Sequence, residues 1–239
     1  MVVVPKAESR WTVTQVYDDL SGRILTGQLR PGEALSEIKM AAHYGLSRTP
    51  VRQAFHRLSV EGLLSIVPQV GSFVAPIQLS AVRDAQFVRQ TVECRAVRSA
   101  ALATGYEKER VLNGLLKEQA RIITRRDHYG FFSSDEDLHR ALMLIAGHPH
   151  VWDFILSMKT QLDRLRYLSL ESQEWLEMIF HQHEQLVKCV LSQDADGAVA
   201  LMETHLHSAS LALEKIAVDH AEFFEDSPPQ PGGTPPKSL

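Results

Sequence analysis

The spacing of hydrophobic and polar residues divides the chain into two parts. From Leu79 almost to Phe224, apolar residues recur at helical spacing, and no further strand pattern is convincing. Pro76 separates this region from the residues before it. The pattern predicts an all-α bundle of about six helices. The predicted helices are 80–104, 107–127, 133–146, 150–170, 174–192 and 195–222, with joints at Gly105, Gly130, 147–149 and 193–194.

A shorter pattern before the bundle predicts two helices joined by a tight turn. Gly45 can take the left-handed conformation that ends one helix, and the hydroxyl of Ser47 can cap the next. Pro50 falls in the first turn of the second helix. Its missing N–H costs little there, because the opening amides of a helix have no intrahelical partner.

The second helix of this pair has an apolar face and a cationic face. Arg48, Arg52 and Arg57 face outward, and the first two share a face because they are four residues apart. Arginines at the start of a helix that follows such a turn can place positive charge in a DNA groove. The apolar stripe behind them consists of Val51, Ala54, Phe55, Leu58 and Leu63.

Four separated blocks of this region occur in the order and spacing of a known family: Leu29-Arg30-Pro31-Gly32, Leu35-Ser36-Glu37, Ser47 to Arg52, and Glu61-Gly62-Leu63. Residues 10–76 thereby resemble the amino-terminal winged helix-turn-helix of GntR-family bacterial regulators. In that family the second helix enters the major groove, so the resemblance gives Arg48, Thr49 and Arg52 the first claim on DNA contacts. The alternative is that these are ordinary solvated helix residues.

Two β-prone runs, 64–67 and 72–75, predict a ribbon that would be the wing by the same resemblance. The family often carries a basic residue before the wing glycine, whereas this chain has Val70 before Gly71. Gln69 is the long polar side chain left for a contact there. The candidate DNA-binding residues are therefore Arg48, Thr49, Arg52, Arg57, Gln69 and Gly71.

Charge is unevenly divided between the two parts. Residues 1–76 carry eight Lys or Arg against six Asp or Glu, whereas the remainder carries seventeen against twenty-three, and the whole chain has a net charge of −4. Affinity for a polyanion is thus expected in a small patch, which favours a homodimer that reads two halves of double-stranded operator DNA. With Cys94 and Cys189 far apart, no signal peptide and no apolar run long enough for a bilayer, we expect a cytoplasmic protein without a membrane partner.

Four polar residues of the predicted bundle lie on apolar helix faces. Asp135 and His139 are four apart and share a stripe, so they can converge on one ion. His183 and His205 lie on the stripes of two later helices. Three imidazoles and one carboxylate suit a divalent metal, most simply zinc, with nickel, iron or manganese possible. The alternative is that each is a core residue hydrogen-bonded to a neighbour.

Three nearby residues are excluded as metal ligands by their position on the helix. His181 and His207 each lie two positions from a candidate ligand, about 200° around the helix. Asp137 lies two positions from His139, so we expect a solvated residue that favours the helix dipole.

The segments Asp135 to His139, Ala146-Gly147, His183-Glu184 and Met202 to Leu206 are similar to the ligand-sensing FCD-type domain of the FadR subfamily of GntR regulators. In members that bind metal, an Asp, a His four residues on and two later His hold the ion, and the same four residues stand at those positions here. Arg89 matches an arginine that, by resemblance, binds a ligand carboxylate. An ion pair between Arg89 and Glu93 is an equal alternative.

The predicted fold class is mainly α, a winged helix-turn-helix followed by an all-α bundle. The predicted domains are 1–78 for DNA binding, 79–224 for effector binding, metal binding and dimerisation, and 225–239 as a disordered Pro-rich tail. The expected function is a ligand-responsive transcription regulator, favoured as a repressor, that responds to a small carboxylate and is not an enzyme. The alternative is a metal-dependent hydrolase domain fused to a DNA-binding head, although no further inward group stands out as a general base.

Overall fold

The computed structural model describes residues 11–169 and 172–224, and its first unit combines three helices with a small sheet. The strands are antiparallel in the order β1-β3-β2. β2 and β3 form the predicted ribbon, with Ser65 opposite Phe73, while β1 adds a strand that the sequence pattern did not predict. The elements are α1 Val13–Leu25, β1 Ala34–Leu35, α2 Glu37–Tyr44, α3 Arg48–Val60, β2 Leu64–Val67 and β3 Gly71–Val74.

The turn between α2 and α3 forms largely as predicted. Gly45 has a φ of +65° and ends α2 in the left-handed conformation. Ser47 precedes α3, but its hydroxyl makes no capping hydrogen bond among the described residues, so that detail of the prediction is wrong. Pro50 lies in the first turn of α3. The predicted stripe of α3 is buried in one apolar core with residues of α1, including Val16, Leu20 and Ile24.

The second unit is a bundle of seven helices within the described residues. α4 contacts α6, α7, α8, α9 and α10 and is therefore the central helix of the bundle. The bounds are α4 Leu79–Leu102, α5 Tyr106–Thr124, α6 His128–Ile145, α7 Val151–Met158, α8 Thr160–Ser169, α9 Gln173–Leu191 and α10 Ala195–Asp219.

Two predicted helices of the bundle differ from the observed ones. The segment predicted as one helix over 150–170 is broken at Lys159 into α7 and α8. The helix predicted to start at 133 starts at His128, because the Asp127 side chain accepts the Gly130 amide at 2.8 Å and caps it. Gly130 therefore lies in a first turn and does not mark a joint. The predicted tail, 225–239, lies outside the described residues.

The two units meet where the chain leaves β3 and where it ends. Ile77 forms a parallel bridge with Phe224 and donates its amide to the Phe223 carbonyl at 2.7 Å. Ile77, Leu162, Leu165 and Phe223 belong to one buried apolar cluster at this junction. No helix within the described ranges is long and apolar enough to cross a membrane.

Candidate metal centre and nucleic-acid interface

Arg48 and Arg52 lie on the exposed side of α3 and share one acceptor, Glu37 at the start of α2. The Glu37 carboxylate accepts Nε and Nη2 of Arg52 at 3.1–3.3 Å and Nη2 of Arg48 at 3.3 Å. The hydrogen bond from Arg52 lowers the pKa of Glu37, so the carboxylate is ionised. More than half of each arginine side chain is exposed, which leaves the pair available to a polyanion.

The wing forms the other wall of the groove in which this arginine pair lies. Glu37, Gln69 and Gly71 line the groove together with both arginines. Gln69 has a φ of +62°, an uncommon conformation for a residue other than glycine, at the tip of the ribbon. Thr49 is exposed in the first turn of α3 but is not part of the groove lining.

Arg57 has a different environment from the other two arginines of α3. It is nine residues from Arg48, about 180° around the helix. Its guanidinium carbon lies 3.5 Å from the centre of the Tyr17 ring, and its Nε donates to Glu61 at 3.1 Å. Since Glu61 also accepts the Tyr17 hydroxyl, this cluster packs α3 on α1. The structure therefore does not bring Arg57 to the groove.

The four candidate metal ligands come from three helices and meet inside the bundle. Asp135 and His139 lie on α6, and His183 and His205 lie on α9 and α10. One ligand atom of each residue lies within 4.8 Å of the other three. The four residues are at most 6% exposed, so they form a polar cluster in the core of the bundle.

The outer nitrogen of each imidazole is held by a neighbouring side chain. The pairs are His139 Nδ1 with the Glu93 carboxylate, His183 Nδ1 with Gln119 Oε1 at 2.9 Å, and His205 Nδ1 with Gln182 Oε1 at 3.1 Å. Because the two glutamine oxygens are acceptors, their hydrogen bonds assign the proton of the His183 ring and of the His205 ring to Nδ1. The Glu93 carboxylate beside His139 Nδ1 favours the same tautomer there, which leaves a lone pair on each Nε2. Such outer contacts are typical of histidines that ligate metals.

The inner nitrogens face one another and the Asp135 carboxylate. His139 Nε2 and His205 Nε2 are 3.1 Å apart, a distance at which two lone pairs repel unless a proton or a cation lies between them. His183 Nε2 makes no hydrogen bond within the described residues and lies 3.4 Å from Asp135 Oδ1. Three nitrogens and one oxygen with unsatisfied lone pairs fit a divalent transition metal ion.

The electrostatics of the centre favour the protonation states that metal binding requires. Burial alone would raise the pKa of Asp135, but the charge of Arg166 on α8 outweighs it, and the pKa lies well below its usual range. Arg166 donates directly to Asp135 Oδ2. Burial lowers the pKa of His183 and of His205, so both rings are neutral near pH 7. An anionic carboxylate and neutral imidazoles can bind a metal without first losing protons.

Arg89, the predicted effector residue, lies beside this centre on α4 and forms a buried ion pair with Glu93. Its Nε is 2.5 Å from Glu93 Oε1, and both residues are at most 2% exposed. Burial would raise the pKa of Glu93, but Arg89 and His139 together lower it to about 2. Glu93 therefore connects Arg89 to the imidazole of His139. The ion pair is present, and a role of Arg89 in effector binding stays a prediction.

The exclusions made from the sequence agree with the positions of the side chains, since Asp137, His181 and His207 are all exposed. Sequence reasoning missed the residues that contact the four candidate ligands from outside: Arg166, Gln119 and Gln182. Gln119 could have been found, because it continues the apolar stripe of Leu112 and Leu115 and is fully buried. A glutamine on such a stripe needs a polar partner.

An exposed arginine pair in the groove of a winged helix-turn-helix defines a DNA-binding protein, and comparison with known proteins specifies its kind. Two family descriptions match the chain: "Bacterial regulatory proteins, gntR family" over residues 12–74 and "FCD domain" over residues 84–208. The chain therefore belongs to the GntR family of bacterial transcription regulators, with an FCD domain after its winged helix-turn-helix.

Individual relatives agree with this assignment. The chain is 32% identical over 212 residues to the HTH-type transcriptional repressor RspR of Escherichia coli K12, covering 89% of this chain and 93% of that protein. It is 35% identical over 211 residues to an HTH-type transcriptional regulator in an unstable DNA locus of Streptomyces ambofaciens, covering 87% and 88%. These matches indicate a transcription regulator and do not favour the hydrolase alternative.

Two solved structures share the fold. Escherichia coli McbR/YncC matches with a TM-score of 0.69 at 20% identity, covering 85% of this chain and 97% of that one. A GntR regulator from Rhodococcus sp. RHA1 matches with a TM-score of 0.69 at 21% identity, covering 84% and 97%. At this level of identity the likeness concerns the fold alone.

Proposed function

We propose that this protein is a ligand-responsive transcriptional repressor that binds operator DNA as a homodimer and holds a divalent metal ion, most simply zinc, in its FCD domain. The observation that carries the metal assignment is the convergence of three Nε2 lone pairs and the Asp135 carboxylate. Nickel, iron or manganese would suit the same donors. Repression is supported by the description of RspR as a repressor.

The effector is a small carboxylate in this proposal. A metal ion with an open coordination position provides one attachment point for a carboxylate oxygen. Arg89 would provide a second, because a guanidinium can bind a carboxylate in a bidentate manner. Arg89 would then exchange Glu93 for the effector, and this exchange would change the charge next to His139. Replacing Arg89 with Ala should abolish the response to an acidic effector.

The DNA part of the proposal assigns base or phosphate contacts to the groove of Arg48 and Arg52. Two copies of α3 would enter successive major grooves, so the distance between the two heads must match the spacing of the half-sites. An effector that changes this distance would lose several contacts at once, which accounts for release of the operator.

The DNA assignment is tested by two arginine variants of the same helix. Arg52→Ala should weaken binding to an operator selected from random duplexes by about tenfold to a hundredfold. Arg57→Ala is the matched control, because Arg57 packs on Tyr17 away from the groove. Fluorescence anisotropy at two salt concentrations measures both. Equal losses in the two variants would refute the assignment of the groove.

The metal assignment is tested by elemental analysis of untagged protein purified without chelator. The wild type and His181→Ala should contain about one equivalent of a transition metal, because His181 is exposed. His183→Ala should contain little, because it lacks one of four ligands. Absence of metal from all three proteins, even after incubation with zinc, would leave the histidines as a polar cluster and refute this part of the proposal.

A further inference from the structure

The short helix α8 contacts the candidate metal centre with one residue and the end of the recognition helix with another. Arg166 donates to Asp135 Oδ2 in the centre. Five residues earlier, Gln161 donates through Nε2 to the Gly62 carbonyl at 2.9 Å, directly after α3. One helix of ten residues thus connects the interior of the FCD domain with the DNA-binding unit.

The contact of Gln161 with Gly62 lies at the end of α3. Gly62 has a φ of +71°, and its amide donates to the Ser59 carbonyl of the last helical turn at 3.1 Å. A Cβ atom added to Gly62 would lie 3.1 Å from Gln161 Nε2, so the approach is close. Gln161 is 5% exposed, and its Oε1 also accepts the amide of Gln78 at 3.4 Å. A shift of Gln161 would therefore move the carboxyl end of α3 with it.

The first turn of α8 is tied to the helix that carries two candidate ligands. Lys159, at the break between α7 and α8, is fully buried. Its Nζ binds Glu136 on α6 and lies 2.5 Å from Asp163 on α8. Lys159 thus links α6 to α8 through Glu136 and Asp163. Because Glu136 is adjacent to Asp135, this link lies next to the contact between Arg166 and Asp135, and a shift of α8 would affect both.

Helix α8 packs in the bundle with a buried side chain, Arg164, whose polar atoms are only partly hydrogen-bonded. Arg164 is 1% exposed, and its Nε and Nη2 have no hydrogen-bond partner in the part of the chain that the structure describes. Burial lowers the pKa of Arg164 to about 10. A buried guanidinium without an anionic partner is costly. When α8 moves, fewer stabilising hydrogen bonds are broken than in a helix whose buried polar groups are all paired.

We propose that α8 transmits the state of the metal centre to the recognition helix, with Gln161 as the positioning residue. The proposal rests on the metal site proposed above. Without metal, Arg166 is the principal cation facing Asp135. A divalent ion on Asp135 places a second cation beside Arg166, and their repulsion in a buried site displaces Arg166 and with it α8. The contact between Gln161 and Gly62 then changes, and α3 is repositioned in the DNA-binding unit.

The test measures hydrogen exchange of the Gly62 and Leu63 amides, which donate to carbonyls in the last turns of α3. Zinc added to the metal-free wild type should change their exchange rates at least threefold. Gln161→Leu should bind zinc equally well and show no such change. Gln86→Leu is the matched control, because Gln86 donates to the Leu206 carbonyl within the helical bundle. A Gln161→Leu protein that responds like the wild type would overturn the proposal.

A second arm needs no metal and separates failure of the relay from failure of the metal site. Asp135→Asn removes the charge that holds Arg166, so it should also change the exchange of Gly62 at least threefold. The double variant with Gln161→Leu should show no further change, whereas additive effects would overturn the relay. If the wild type takes up no zinc but this coupling is present, the metal site is wrong and the relay stands. Gln161→Glu, which keeps an acceptor for Gln78 but cannot donate to Gly62, replaces Gln161→Leu if that variant fails to fold.

Discussion

The ion pairs of Arg52 with Glu37 and of Arg89 with Glu93 have similar chemistry but opposite environments. The first pair lies in an open groove, and 63% of the Arg52 side chain is exposed. The second is enclosed in the bundle, and both members are at most 2% exposed. In water the attraction between two such charges is nearly cancelled by solvation, whereas in the interior each charge depends on its partner.

In the proposed function this difference separates DNA binding from metal and effector binding. Because the groove pair costs little to open, DNA phosphates or base edges can replace Glu37 as the acceptor. The buried pair cannot open without a replacement anion, so under the proposed function it would either hold the candidate metal centre in place or be exchanged for an effector carboxylate. An arginine paired with a glutamate can thus make a reversible contact at the surface and an obligatory one in the core.

The largest expected effect comes from removing the acid of each pair. Glu93→Gln leaves Arg89 buried without a countercharge and should lower the free energy of unfolding by ~3–5 kcal/mol. Glu37→Gln should change it little, because its partners are exposed. Urea denaturation of the two variants measures both. Equal losses of stability would mean that burial does not distinguish the two pairs.

A smaller effect is expected from loosening a ligand without removing it. Gln119→Ala deletes the acceptor that orients His183 and should weaken zinc binding by about tenfold to a hundredfold. Gln185→Ala is the control, because Gln185 bonds to His181 on the exposed side of α9. Competition with a chromogenic chelator gives both affinities. Unchanged affinity in Gln119→Ala would show that packing alone orients His183.

The buried imidazoles should make the stability of the metal-free protein depend on pH. Burial lowers the pKa of His183 and His205 from about 6.5, so the unfolded chain binds more protons than the folded one as the pH falls below that value. Stability is therefore fully present above about pH 6.5 and is lost progressively toward pH 5. Thermal unfolding with chelator from pH 5 to 8 measures this. A flat curve would mean that the folded and unfolded rings take up protons at the same pH.

Below pH 5 the dependence of thermal stability on pH should reflect protonation of the buried carboxylates Glu93 and Asp135. The folded pKa of Glu93 is about 2, and that of Asp135 is well below its usual range. Both groups therefore stabilise the fold above the ordinary carboxyl pKa of about 4, and this stabilisation is lost as the pH falls further. Glu93→Gln should remove part of this acid dependence.

The smallest expected effect concerns selectivity for DNA. Glu37→Gln removes a negative charge between Arg48 and Arg52, so binding to random duplex DNA should tighten a few-fold and its salt dependence should steepen by up to about one unit. Glu61→Gln, next to Arg57 on the other side of α3, should leave both unchanged. Anisotropy titrations with specific and random duplexes give the ratio. Weaker binding of Glu37→Gln to random duplex DNA would mean that Glu37 instead stabilises the position of α2.

Residues whose position depends on their own helix were predictable from the sequence. The spacing of Asp135 and His139 places both on the inner face of α6, and the apolar stripes of α9 and α10 place His183 and His205. Gly45 ends α2 because its conformation is a local property. In each case the helical repeat, or the φ angle of a single residue, determines where the side chain or the helix end lies.

Residues whose position depends on tertiary packing were not predictable in this way. The break between α7 and α8 occurs at Lys159, in a segment without glycine or proline, where a buried ammonium binds carboxylates on two helices. Arg57 is exposed as predicted, but its guanidinium lies over the Tyr17 ring of α1, on the other side of α3 from the groove. β1 has two residues and exists through its pairing with β3. None of these contacts leaves a periodic signal in the sequence.

The burial of the four candidate ligands also has a consequence for time scales. With every ligand at most 6% exposed, an ion can enter or leave only when the surrounding helices open. Metal exchange would then be slow compared with the encounter of regulator and operator. The relay through α8 would therefore report slow changes in metal occupancy, and the rapid signal would be the organic effector.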